Sequence, residues 1–127
     1  MQDGVTPYFY LPGGRVHLHE TAENAILREI QEEMNIEARI IRPLWLNQAF
    51  FTEAVSGEHF HEVCIYYLLD LPGIPGENFS IVEKGRINRF EWIPFDELNE
   101  RYLYPEFIKN KIYDLPKSFE ILTDNCT

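Results

Sequence analysis

Cysteine is scarce in this chain of 127 residues. Cys64 lies inside the apolar run Val63 to Leu69 and Cys126 in a polar tail, so no disulfide framework is expected and both thiols read as free. Long apolar runs are missing as well. None approaches the roughly 20 residues of a membrane span, and the first residues lack the basic-then-apolar pattern of a secretory signal. A cytoplasmic location is the expectation. Positive charge is short: 11 Lys and Arg stand against 21 Asp and Glu, a net charge of −10. That balance opposes electrostatic binding to duplex nucleic acid or to anionic membranes. No internal repeat or low-complexity segment interrupts the chain. Apolar residues are plentiful, 45% hydrophobic with 14% aromatic, which suits a single domain over residues 1–127 with a real core.

Glu20 to Met34 contains no glycine or proline, and Ala22, Ala25, Ile26 and Ile30 recur at helical spacing. The stretch therefore predicts one amphipathic helix, with Thr21 as N-cap and Glu23 in the first turn. Glu29, Glu32 and Glu33 then stand at i, i+3 and i+4 and crowd one face. Like charges so spaced each cost a helix roughly 0.2–0.5 kcal/mol, and a purely structural helix would have mixed in lysine. A divalent cation turns the repulsion into ligation, and hard Mg2+ or Mn2+ suits clustered carboxylate oxygens. With so acidic a chain, a phosphate-bearing ligand is expected to be small and met through that metal.

Residues Gly14 to Ile36 read G-x5-E-x7-R-E-Ile-x-E-E-x-N-Ile. The pattern resembles the Nudix box, G-x5-E-x7-R-E-U-x-E-E-x-G-U with U a bulky aliphatic residue. It is met at Gly14, Glu20, Arg28, Glu29, Ile30, Glu32, Glu33 and Ile36, and departs from the motif only at Asn35. Asparagine is the usual substitute for glycine in a left-handed helix C-cap, so the exchange leaves catalysis untouched. Beyond the box the resemblance extends to Tyr10-Leu-Pro-Gly-Gly14 and, more loosely, to Phe90 to Leu98.

The resemblance implies the α/β Nudix fold, a mixed sheet sandwiched between α-helices. It also implies a Mg2+-dependent hydrolase that splits the diphosphate linkage of a nucleoside diphosphate derivative (nucleotide sugar, dinucleotide or nucleoside triphosphate) by water attack at phosphorus. The rival reading is a Nudix-fold module that binds a nucleotide without cleaving it; such modules tend to lose box carboxylates, and here all are present. By resemblance, Glu32 and Glu33 are the principal metal ligands, Glu29 a ligand or the base, and the Gly13 carbonyl a further ligand. Glu20 and Arg28 pair to hold loop against helix. A carboxylate from a later loop often joins the metal site, and Glu83 in Val82-Glu-Lys-Gly85 is the candidate, with Glu58 and Glu62 competing. Arg15, after the glycine turn, faces either phosphate or solvent. The pairs His17/His19 and His59/His61 have the spacing of a transition-metal site, yet without cysteine partners they read as exposed strand faces. Phe50 and Phe51 could stack on a base, and as residues beside a strand they read rather as core.

Elsewhere the pattern predicts a short buried strand at Tyr8 to Leu11, strands at Ala38 to Arg42 and Leu44 to Thr52 broken at Pro43, and a central strand at Phe60 to Leu71. A loop at Pro72 to Gly76, a strand at Arg89 to Pro94, a helical turn at Phe95 to Asn99 and a last helix starting at Pro105 follow. Relatives carry about two strands ahead of the glycine turn, so a chain starting here is expected to lack N-terminal strands and to expose a sheet edge that favours a homodimer.

Overall fold

A computed structural model describes residues 9–53, 55–72, 79–83 and 86–126, with backbone alone for 79–83, 86–88 and 126. In chain order the elements are α1 (Ala22–Met34), β1 (Arg39–Thr52), β2 (His59–Asp70), β3 (Phe79–Glu83), β4 (Arg86–Phe90), a 3-10 turn (Phe95–Glu100), α2 (Phe107–Lys111) and β5 (Glu120–Cys126). The chain divides into two compact units: Met1–Ala38 with Leu71–Leu115, and Arg39–Asp70 with Pro116–Thr127.

In the first unit, α1 begins where the sequence places its cap. Thr21 is extended and its hydroxyl accepts the Asn24 N–H at 3.1 Å, satisfying a donor that the helix itself cannot. Glu20 therefore lies outside the helix, not at its first position. The apolar stripe buries Ala25 and Ile30. At the other end Asn35 adopts φ 54°, ψ 40°; its N–H donates to the Gln31 carbonyl, and its Oδ1 accepts from the Gln31 amide at 3.0 Å. The left-handed cap turns the chain so that Ile36 is buried.

The segment expected to form a buried strand before the glycine turn does not. Phe9 makes one parallel bridge to Leu103: its N–H donates to the Tyr102 carbonyl and its carbonyl accepts the Tyr104 N–H, both at 2.9 Å. Leu11 is exposed, and Tyr8 lies outside the described residues. Side-chain chemistry adds to this bridge: the Arg101 guanidinium stands 5.2 Å from the Phe9 ring centroid while pairing with Glu91, a cation–π contact backed by an ion pair. β3 and β4 form an antiparallel hairpin in register Phe79↔Phe90 to Glu83↔Arg86. Thus β4 ends at Phe90, four residues short of Pro94, and Glu83 closes a strand where a loop was expected. The helical turn at Phe95 is present as a 3-10 turn that buries Leu98. The last helix starts at Phe107, with Pro105 ahead of it accepting the Ile108 N–H at 3.3 Å; Ile108 is fully buried.

The second unit is a mixed three-stranded sheet of order β2-β1-β5. β1 and β2 are antiparallel from Arg39↔Asp70 to Thr52↔His59, and β5 runs parallel to β1 from Trp45↔Glu120 to Phe51↔Cys126. The break expected at Pro43 is a pair of register shifts on either side of it, since proline has no N–H for the ladder and a bulge absorbs the missing bond. The strand continues through. β1, not β2, is central: Leu44, Trp45, Asn47 and Ala49 of β1 are buried, whereas His59 to Val63 of β2 are exposed. Trp45 packs edge-on against Tyr66 with centroids 6.4 Å apart. The mixed sheet and the helices agree with the α/β class read from the sequence, and no helix among the described residues is long and apolar enough to cross a membrane.

Asn35→Gly is expected to shift stability by less than about 1 kcal/mol, whereas Asn35→Val should cost about 1–2 kcal/mol, the left-handed penalty for a Cβ-branched residue. Urea unfolding midpoints read both; a valine variant as stable as the parent contradicts the left-handed cap.

Candidate active site

Arg28 gathers the box carboxylates. Its Nε and Nη2 donate to Glu20 Oε2 and Oε1 at 2.8 and 3.1 Å, a two-pronged fork. Nη2 also donates to the Arg15 carbonyl at 3.2 Å. Nη1 is shared by Glu29 Oε1 at 2.9 Å and Glu32 Oε2 at 3.3 Å. A planar guanidinium with five N–H donors is the side chain able to meet three carboxylates and a backbone carbonyl at once. The three i, i+3 and i+4 acids of α1 therefore do not simply repel one another, because two of them share one cation.

The loop before the helix is tied into the same centre. Glu20 Oε1 accepts the His17 N–H and the Glu20 N–H donates to the His17 carbonyl, each at 3.0 Å. His19 sits between them at φ 65°, a left-handed position that costs a non-glycine residue roughly 1–2 kcal/mol. The sequence reads His17 and His19 as alternating strand residues; the chain instead turns here, with no glycine or asparagine to signal it. Arg28, first, and the His17 N–H, second, hold the Glu20 carboxyl down to about 2. Glu20 in turn pushes the Arg28 guanidinium above its already high range.

Gly14 has a steric task. A Cβ placed on it would stand 2.5 Å from Glu29 Cδ and 2.9 Å from Oε2, closer than side-chain atoms pack. The Glu29 carboxylate thus stands beside Gly14, in the space a Cβ would take, while Arg28 binds its Oε1. Gly13 takes φ 157°, which brings the loop close along the helix; a Cβ there would make ordinary contact with Ile26 at 3.8 Å.

Of the residues singled out in the sequence, Glu20, Arg28, Glu29 and Glu32 meet in one cluster, with Gly13 and Gly14 lying along it. Glu33 is buried, at 4% exposure, and a carboxylate is costly to bury unless it is paired or coordinates a metal. Among the described residues, no three His, Cys, Asp or Glu side chains already stand together as a metal-holding group. The donors themselves, hard carboxylate oxygens on successive turns, fit Mg2+ or Mn2+. Arg15 contributes its carbonyl to Arg28 and leaves its residue exposed. The Glu83 side chain lies outside the described residues, and Glu58 and Glu62 are exposed members of the other unit.

The remaining candidates find partners within their sheet. Phe50 stacks on His61 with centroids 4.3 Å apart and Phe51 on Phe60 at 5.4 Å; His59 Nδ1 lies 2.9 Å from Thr52 Oγ1. These are cross-strand pairs of the kind that stabilise sheets. Burial pushes the Cys64 thiol up from its ordinary value, which keeps it protonated and unreactive.

The Glu20–Arg28 pair generates a pH-dependence. Because the folded-state value of Glu20 is depressed to about 2 from about 4.5, its stabilisation is complete above pH 4.5 and is lost as pH falls through about 2. Thermal unfolding of the parent and of Glu20→Gln should therefore differ most near neutrality and converge between pH 4.5 and 2. A difference independent of pH contradicts the ion pair.

Comparison with known proteins agrees with this geometry. The model of the NUDIX domain family matches residues 2–114. A protein of Mycobacterium tuberculosis (strain CDC 1551 / Oshkosh) with the provisional name mutator protein MutT4 is 29% identical over 98 residues, which cover 76% of this chain and 36% of that protein. The match thus spans about a third of the relative's length. With eight motif positions in place and the family model covering most of its length, the chain belongs to the NUDIX domain family.

Proposed function

We propose that this protein is a Mg2+-dependent pyrophosphohydrolase acting on a small nucleoside diphosphate derivative: a nucleotide sugar, a dinucleotide or a nucleoside triphosphate. The observation that carries the reading is the engagement of Glu20, Glu29 and Glu32 by the single guanidinium of Arg28 on a helix that also buries Glu33. A bare charged helix face would neither order a loop around one arginine nor bury a carboxylate.

Glu32 and Glu33 would hold the cation, with the Gly13 carbonyl as a further ligand and Glu83 as the candidate from beyond the box. Once bound there, a divalent cation would supply charge neutralisation of a diphosphate and acidify water. Glu29 is suited to take the proton of the attacking water. Its Oε1 is engaged by Arg28, so Oε2 is the oxygen left to receive it. The water oxygen bonds to phosphorus as the bridging P–O bond breaks. Arg15, exposed beside the glycine turn, would be the residue to meet a phosphate oxygen. At a net charge of −10 the surface disfavours polyanionic macromolecules, which supports a small substrate.

A screen of nucleotides with Mg2+, reading phosphate released after phosphatase coupling, tests the activity and identifies the class. Glu32→Gln and Glu33→Gln should each lower turnover by about 10²–10⁴, roughly 2.7–5.5 kcal/mol of barrier, while the fold persists because like-charge repulsion falls. Turnover retained by both variants at saturating Mg2+ removes these residues from the site.

A further inference from the structure

The Arg28 guanidinium does not treat its acids equally. Glu20 takes two short bonds from it and Glu29 one bond of 2.9 Å, whereas Glu32 is met at 3.3 and 3.5 Å through the same Nη1 that serves Glu29. Exposure also sets Glu32 apart from the other two. The side chains of Glu20 and Glu29 are 16% and 13% exposed, that of Glu32 52%. The Glu29 carboxylate also lies beside Gly14, in the space a Cβ there would take. Glu32 is an i+4 partner on the solvent side of α1, in the weaker arginine-before-glutamate order. A carboxylate oxygen committed to Nη1 cannot at the same time point its lone pairs at a cation.

We infer that Arg28 and the divalent cation are alternative partners of Glu32, and that Glu20 sets the balance by anchoring Arg28 through the other prongs of its fork. The inference rests on the metal-dependent reading above. In the cation-free state Arg28 neutralises Glu32 and keeps the acidic face of α1 from repelling itself. When Glu32 swings to the cation, the Nη1 contact with Glu29 remains and the fork to Glu20 is undisturbed. Glu20 is thus a positioning residue that acts through Arg28. Without its charge the guanidinium would turn its full attraction on Glu29 and Glu32 and hold them against metal uptake.

The test follows the nitrogen signals of the Arg28 side chain by NMR in the 15N-labelled full chain during Mg2+ titration, with Mg2+ uptake measured separately by equilibrium dialysis. The Nη1 signal should move and saturate with the Kd found by dialysis, while the Nε signal, bonded to Glu20, stays in place. Glu20→Gln should weaken Mg2+ binding about 3–10-fold, as loss of one nearby charge and release of its partner require. Glu23→Gln removes an equal charge from the exposed first turn of α1 without touching Arg28 and should change Kd less than about twofold. Mg2+ uptake with Nη1 unmoved overturns the exchange, and equal effects of the two variants overturn the role of Glu20; neither result touches the metal-dependent reading. No Mg2+ uptake at all overturns both.

Discussion

The ion-pair centre at Arg28 is the constraint on which the first unit depends. A helix that carries Glu29, Glu32 and Glu33 within two turns is electrostatically strained, and the loop from Gly13 to His19 has no regular backbone bonding to fix it. One guanidinium addresses both difficulties, binding two of the helix acids through Nη1 and the loop through Glu20 and the Arg15 carbonyl. The cap residue makes this possible. Because Thr21 rather than Glu20 closes the helix N-terminus, Glu20 is outside the helical turn and its carboxylate is available to the arginine eight residues on. The cost is accepted locally, at His19, which is held in a left-handed conformation to complete the turn.

Seen this way, each fixed position of the motif corresponds to a contact. Glycine at 14 lets the Glu29 carboxylate stand where a Cβ would otherwise displace it. Arginine at 28 is required for its fork, and glutamate at 20 because a loop must be bonded to that fork. Ile30 and Ile36 are core residues, buried where the helix and its exit turn face inward. Asparagine at 35 meets the demand for a left-handed residue and adds a side-chain bond to Gln31 that glycine could not make. Glu33 is buried at 4% exposure, whereas the Glu32 side chain is 52% exposed, so the two neighbouring acids stand in different surroundings.

Much of the site was legible in the sequence because its parts are close together along the chain. The helix, its cap, its left-handed exit and its carboxylates all follow from spacing and from local backbone preference. The sheet was harder to read. An apolar run from Phe60 to Leu71 says that a strand is long and partly covered, but not how many neighbours it has, and β2 pairs with β1 alone among the described residues. The residues that make β1 central come from its other side, in a polar C-terminal run, Glu120 to Cys126, whose sequence carries little strand signal. Phe9 shows the same limit. Its aromatic neighbours suggest a strand, yet its ring meets Arg101, itself paired with Glu91, distant residues whose convergence no local pattern announces. Glu83 was read as a loop residue because glycine follows it; the pairing with Arg86 depends on a partner strand that begins beyond that glycine.

The account's central claim is that Arg28 acts by geometry, as a fork that orders carboxylates, and not merely as a positive charge. Lysine keeps the charge and loses the fork. The direct measurement is the turnover of Arg28→Lys at saturating Mg2+ and substrate, alongside its unfolding temperature. A fall in kcat of about 10–100-fold, about 1.4–2.7 kcal/mol of barrier, in a variant that still folds is the result this account predicts; a kcat within twofold of the parent would contradict it.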